Sequence, residues 1–359
     1  MKKTVLVTLA VLVIIAGLSC DRLPSYAQWE RRYAGPDFVE PVAIIRAPDS
    51  GYAVIAAIRD KWTRATGVWL LRLNDEGDTL WTRCYTIGLN TWPDAIESAP
   101  DGGFFISGRT DAKPFLLYTR RDGELMEHPT WPSYSGGLSC PLATGADGTV
   151  VMAGDADYHT VFAQRVESSG GQYWARTYSL DVDIPFLRTL ARMSGGGYVL
   201  GGSDWGIGLS ESGDSLWSRD YGSLGAVDFR DACATADSGC LLSGSIYTDS
   251  GARIICTKVN GAGEVAWSAQ VSDPPAAGWS GFSGSDGSHY VVGDFDSETR
   301  YMDRDGIIVK FNSSGGVEWQ RELTGADRGS LVSIAESPDG DLVVLGYGGD
   351  GLCLVKMTP

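Results

Sequence analysis

Short apolar runs alternate with Gly- and Asp-rich turns along most of the chain, and the alternation keeps a period. A turn that opens an apolar strand occurs at Asp49-Ser-Gly-Tyr52, Asp101-Gly-Gly-Phe104, Asp147-Gly-Thr-Val150, Gly195-Gly-Gly-Tyr198, Asp237-Ser-Gly-Cys240, Asp286-Gly-Ser-His289 and Asp339-Gly-Asp-Leu342. Asp and Gly tolerate the positive φ that tight hairpins need, so each site predicts a turn between two strands. A further apolar strand bearing Lys or Arg follows, as in Val68-Trp-Leu-Leu-Arg-Leu73 and Ile307-Ile-Val-Lys-Phe311. A Trp-centred segment closes each unit: Trp29-Glu-Arg-Arg-Tyr33, Trp81-Thr-Arg-Cys-Tyr85, Trp174-Ala-Arg-Thr-Tyr178, Trp217-Ser-Arg-Asp-Tyr221, Trp267-Ser-Ala-Gln-Val271 and Trp319-Gln-Arg-Glu-Leu323. Gly123-Glu-Leu-Met126 supplies the missing member with Met in the Trp slot. The mean spacing of about 48 residues lies in the range of propeller blades.

Each unit thus predicts four strands: one before the Asp-Gly turn, one after it, the Lys/Arg strand and the Trp strand. The second strand is apolar at nearly every position, as in a sheet covered on both faces by neighbouring sheets. The chain opens with a lone Trp strand and stops at Met357 where another would be due. The strand near Trp29 can therefore complete the last sheet and close a ring without free edges. The expectation is an all-β chain forming one seven-bladed β-propeller of four-stranded blades over residues 28–359, closed by its N-terminal strand.

Ahead of the repeats, Met1-Lys2-Lys3 is basic, Val5 to Leu18 is apolar, and Gly17-Leu18-Ser19 precedes Cys20. The run is shorter than the roughly 20 residues that span a bilayer, which points to a secretory signal over residues 1–19. Its end resembles the lipobox of bacterial lipoproteins. That resemblance implies cleavage before Cys20, lipidation of Cys20 and a short linker through residue 27. The protein would then sit in a bacterial cell envelope, anchored to a membrane and facing the periplasm or the exterior.

Charge restricts the partners. The 359 residues carry 29 Lys+Arg against 45 Asp+Glu, a formal charge of −16, and no basic stripe interrupts the acidic balance. Nucleic acid is excluded as a partner, because a polyanion would be repelled. Removing residues 1–19 deletes Lys2 and Lys3 and no acid, which takes the charge to −18. The lipid, and not electrostatics, must hold such a body at an anionic membrane. Six cysteines follow Cys20, at 84, 140, 233, 240, 256 and 353, with no CxxC spacing. In an oxidising compartment Cys233, Cys240 and Cys256, which share one repeat, are the first candidates for a disulfide, and buried thiols are the alternative.

The Lys/Arg strand, the Asn74-Asp-Glu-Gly-Asp78 turn and Trp81 resemble the repeats of secreted bacterial propellers of the quinoprotein-like (PQQ-like) type, among them lipoproteins that serve as envelope scaffolds. The adjacent-cysteine pair of quinoprotein dehydrogenases is absent here. The resemblance therefore implies architecture and leaves activity open, since one fold hosts many functions.

Strand order puts the Asp-Gly turns and the turns before Trp on one face, and the remaining, longer loops on the other. Loops on a rigid scaffold are where binding resides. The long-loop face offers Trp92, Asp94, Trp131, Tyr134, Phe186, Phe229, Asp231 and Trp279 as ligand-binding candidates, rings paired with acids that could grip a peptide or stack on a sugar. Asp294, Asp296 and Asp305 recur with a spacing resembling a calcium loop, although Thr299 stands where the turn Gly belongs. Asp155, Asp157 and His159 alternate as a metal site could require. Only three histidines exist and none forms a motif with Ser or Cys, so no catalytic residue is assigned. The reading is a lipid-anchored, non-catalytic scaffold for an envelope protein or glycan. The alternative is a glycan-acting hydrolase using acids of the long-loop face.

Overall fold

The computed structural model describes residues 25–359 except 36–37, 61–64, 112, 128, 131–138, 158, 181–185, 272, 297–303, 325–328, 350 and the side chain of Asp296. Cys20, Trp131 and Tyr134 lie outside the described residues. Seven antiparallel four-stranded sheets follow one another. Blade 1 runs through Phe38–Arg46, Tyr52–Arg59, Thr66–Leu73 and Thr79–Tyr85 in that spatial order, from the channel outward. Blades 2 to 6 repeat it over residues 91–127, 142–179, 189–220, 226–271 and 276–323. In blade 7, Leu331–Glu336, Leu342–Gly348 and Gly351–Met357 are completed by Ala27–Ala34, whose Tyr33 pairs with Leu352. The ring is closed by the N-terminal strand, as the unpaired Trp segments require.

Connections on one face are uniform. Each spans five residues, as at 47–51 and 74–78, and all but one have a glycine at φ +64° to +90° in the fourth or fifth place; at 235–239 Ser238 takes that conformation, at φ +64°. Connections on the other face range from two residues to fourteen. The Lys or Arg of the third strand locks the Asp of the uniform turns: Arg165 Nη2 lies 2.7 Å from Asp147, Lys356 Nζ lies 2.8 Å from Asp339, and Arg72 contacts Asp49. The Thr149 hydroxyl, donating at 2.7 Å, and then Arg165 hold the Asp147 carboxyl near pKa 2, below its ordinary range.

The outermost strand clasps the next blade. Trp29, Trp81, Trp174, Trp217 and Trp267 lay their rings against Gly77, Gly123, Gly213, Gly263 and Gly315, each in the outer turn of the following blade. Indole N–H groups of Trp174, Trp217 and Trp267 donate to carbonyls of the same turns at 3.0–3.1 Å. Four residues on, the hydroxyls of Tyr85, Tyr178 and Tyr221 donate to the glycine carbonyls at 2.6, 2.6 and 2.9 Å, and Tyr33 does the same to Gly77. Buried clusters then fill the seams with strand residues such as Trp69, Val343 and Leu345. Blade 2 ends in Leu125–Glu127, with Met126 in place of Trp and 38% exposed, so its seam to blade 3 lacks the clasp.

No disulfide links the described cysteines, so the buried-thiol alternative holds. Cys84, Cys140, Cys233, Cys240, Cys256 and Cys353 are all free thiols, and burial pushes the Cys240 thiol up to about 12. Blade packing, not cross-linking, carries the fold.

The clasp generates a stability test. A Cβ at Gly213, φ +80°, would stand 2.8 Å from the Trp174 ring, whereas one at Gly340, φ +83°, would meet nothing within 4 Å. Gly340→Ala should cost about 1–2 kcal/mol for left-handed backbone alone. Gly213→Ala should cost about 1–3 kcal/mol more for overpacking. Urea denaturation of the two variants measures the difference, and equal losses would dismiss the clasp.

Candidate functional site: the central channel and its mouth

The channel is built by a backbone irregularity that recurs from blade to blade. Innermost strands bulge between Pro41 and Ala43, Pro93 and Ala95, Phe229 and Asp231, Gly278 and Ser280, and Leu331 and Ser333. The extra residues are Val42, Asp94, Arg230, Trp279 and Val332, and a bulge re-aims its side chain away from the ladder. All five line the central channel, joined from blade 4 by Arg188. Glycine on the adjacent strand permits the bend: a Cβ at Gly108, Gly244 or Gly293 would stand 2.0–2.1 Å from the carbonyl oxygens of Trp92, Asp228 or Ala277.

The channel holds about 370 Å³. Its wall mixes aliphatic and polar side chains, with Ile45, Ile96, Leu190 and Ile334 among the lining residues. Into it project three carboxylates. Asp94 accepts from Arg109 Nε at 3.3 Å and from Cys140 N at 3.0 Å, yet burial raises its pKa to about 6. Asp231 accepts from Ser280 Oγ at 2.7 Å, Ala232 N at 2.8 Å and Gly281 N at 3.1 Å, and burial raises it as well. Glu97, three residues beyond Asp94, is pushed up to about 7, chiefly by desolvation and further by the charge of Asp231.

At the mouth, guanidinium groups lie over aromatic rings. Arg59 stands 5.0 Å from the Phe38 ring and 5.6 Å from that of Trp92. Arg188 stands 5.7 Å from Phe186, and Arg230 stands 4.0 Å from Trp279. Phe38 is 47% exposed, so this rim faces water. Such stacks contribute about 0.5–2 kcal/mol each and fix the orientation of the cation.

Trp92, Asp94, Phe186, Asp231 and Trp279 thus gather at the channel and its rim. Phe229 does not. It is fully buried and packs edge-on against Tyr221 at 5.9 Å, a wedge between blades and not a rim anchor. The calcium reading is also corrected. Phe295 pairs with Asp305 and Asp294 with Gly306 in register, so Asp294 and Asp305 point to opposite faces of the sheet. Asp294 is instead occupied by donors, Arg304 Nη1 at 2.9 Å, Trp279 Nε1 and Ser330 Oγ. Asp155 accepts from Leu187 N and Asp157 from His159 N, and no group of three metal-binding side chains forms among the described residues. A larger hollow of about 520 Å³ lies on the uniform-turn face between blades 1 and 2. Its arginines are already tied, Arg72 and Arg121 to Asp49 and Arg120 to Glu124.

Sequence reasoning missed Glu97, Arg59, Arg188 and Asp228. The glycine at a fixed place in the second strand, Gly108, Gly244 and Gly293, marks the bulge opposite and would have located the mouth.

No protein-family model matches the chain, and no curated protein does. Solved structures do resemble it. A streptogramin B lyase shares 10% identity over 92% of this chain and 98% of its own, with a TM-score of 0.67. The virginiamycin B lyase of Staphylococcus aureus gives 12%, the same coverages and 0.66. YCF48 bound to a D1 peptide gives 13%, 96%, 98% and 0.57. At these identities the likeness is one of fold.

The raised carboxyls generate a pH test. A carboxyl whose folded pKa exceeds its unfolded one adds stability below the unfolded value and loses it as pH rises through the folded value. For Glu97 the window runs from about 4.5 to 7. Glu97→Gln should therefore raise stability at pH 8 by about 1–2 kcal/mol, allowing for partial hydration of the channel. It should change little at pH 4, as read by urea denaturation at both values.

Proposed function

We propose that the protein is a lipid-anchored component of a bacterial cell envelope whose propeller is a non-catalytic scaffold, holding a protein partner on the face that carries the channel mouth. The observation that carries this reading is the rim itself: Arg59, Arg188 and Arg230, each held against Phe38 and Trp92, Phe186 or Trp279 around an open cavity. Arginine and tryptophan dominate the energetics of protein interfaces, and rigid stacking lowers the entropy lost on binding. A propeller of like fold is solved with a peptide bound, which agrees with that use.

Anchoring at Cys20 suits the geometry. Ala27 pairs with Met357, at the end where the uniform turns lie, so the chain enters the ring from the face opposite the mouth. Seven residues extend at most about 25 Å, which would keep the uniform-turn face near the lipid and direct the mouth away from it.

A hydrolase is the second reading, favoured by Glu97 and Asp231 both lining the channel, where the charge of one raises the pKa of the other. Against it, Asp231 already accepts three hydrogen bonds and no histidine is among the described lining residues.

Crosslinking in the native host, followed by capture of the protein and mass spectrometry, tests the scaffold. Trp92→Ala should weaken capture of the crosslinked protein about tenfold while the melting temperature changes little. Cys20→Ser should move the protein from the membrane to the soluble envelope fraction. Unchanged partitioning removes the anchor, and capture indifferent to Trp92 removes the rim.

A further inference from the structure

Two of the rim arginines are arranged around one acid. Asp228 of blade 5 is buried, and each of its oxygens faces a different guanidinium: Oδ2 accepts from Arg230 Nε at 3.0 Å, and Oδ1 stands 3.6 Å from Arg188 Nε. Arg230 Nη2 donates to Tyr247 Oη at 3.0 Å, which together with the Trp279 ring fixes the plane of the fork. Arg230 Nη1 is left buried without a hydrogen-bond partner, whereas Arg188 Nε, beyond hydrogen-bond reach of any acceptor, has Asp228 Oδ1 as its ion-pair partner. Both side chains line the channel. Buried donors are nearly always satisfied, and a charged one left unpaired is costly. Two guanidinium groups sharing one carboxylate leave a positive charge, and the planar fork matches a second carboxylate in size and geometry.

We propose that the channel mouth receives a carboxylate of the protein partner, from an acidic side chain or a C-terminus, between Arg188 and Arg230 and against Trp279. The inference rests on the scaffold reading and names the chemistry of its contact. Neighbouring acids permit it. Asp94 is paired with Arg109 and Asp294 with Arg304, while Asp231 is screened by three donors. Glu97, which also lines the channel, is pushed up to about 7 by burial, so it opposes a guest carboxylate with less than a full charge.

Isothermal titration of the full chain in detergent micelles tests the site, with decaglutamate, decaglutamine and trigalacturonate as probes. Decaglutamate should bind, more weakly as salt rises, and decaglutamine should not. Arg188→Gln and Arg230→Lys should each weaken decaglutamate at least tenfold; the latter keeps the charge but loses the fork. Arg121→Gln, on the opposite face, should match the parent. Melting temperatures identify any variant that fails to fold, and Arg230→Lys keeps Asp228 opposite a cation if removal of Arg188 unfolds the chain. Absence of decaglutamate binding, equal binding of decaglutamine, or indifference to both arginine variants overturns the proposal. Binding of trigalacturonate alone would place the carboxylate on a glycan and overturn the protein source. If the arginine variants have no effect while Trp92→Ala still weakens capture of the native partner, the scaffold stands and this contact falls.

Discussion

The ring depends on one contact repeated around it: an indole of the outermost strand lying flat on a left-handed glycine of the next blade, with a tyrosine hydroxyl on the same glycine's carbonyl. A propeller blade has no covalent link to its neighbour except the connection at the channel mouth. Its outer edge would splay without a second attachment. The clasp supplies that attachment at the far end of the sheet, where the radial gap between blades is widest and a large flat ring fills it. Only glycine can stand beneath the ring, because any Cβ at these turns would be both at positive φ and within about 3 Å of the indole. At the closing seam the turn is missing, and the substitutes are Tyr26, whose hydroxyl donates to Glu322 O, and Arg321, stacked on both Tyr26 and Trp319.

This contact is why the architecture could be read from the chain. Trp, the residue four places later and the glycine of the following turn are spaced by the geometry of one strand and one blade, so they recur with a fixed period. The Lys/Arg strand recurs for the same reason, since Arg165 or Lys356 must reach the Asp of its own hairpin turn. Met126 could be recognised as the member without a Trp because every other mark of the unit stayed in step.

The channel was less legible. Its residues are chosen by bulges, and a bulge is a register shift that no periodicity of two reveals. Phe229 and Arg230 are neighbours in sequence, yet the bulge separates them: the ring goes between blades and the guanidinium goes to the mouth. Likewise Asp294 and Asp305 have the spacing of a cation loop, but a continuous two-strand ladder sets them on opposite faces. Glu97 carried no motif at all. Its chemistry arises from aliphatic surroundings contributed by other blades, and a single strand does not record them.

The two faces of the ring divide the labour that the sequence distributes along its length. Five-residue turns with their locked aspartates and clasped glycines occupy one face, where these side chains and turns are committed to a neighbour and change would cost stability. The bulges of five blades then place on the other face whatever residue stands at one position of the innermost strand, and those positions vary: Val42, Asp94, Arg230, Trp279 and Val332. Backbone geometry at the mouth is held constant by glycines of the second strand while its chemistry is free to differ. A guanidinium there is oriented by a ring and by an acid before any partner arrives, so its ordering entropy is already lost in the folded state.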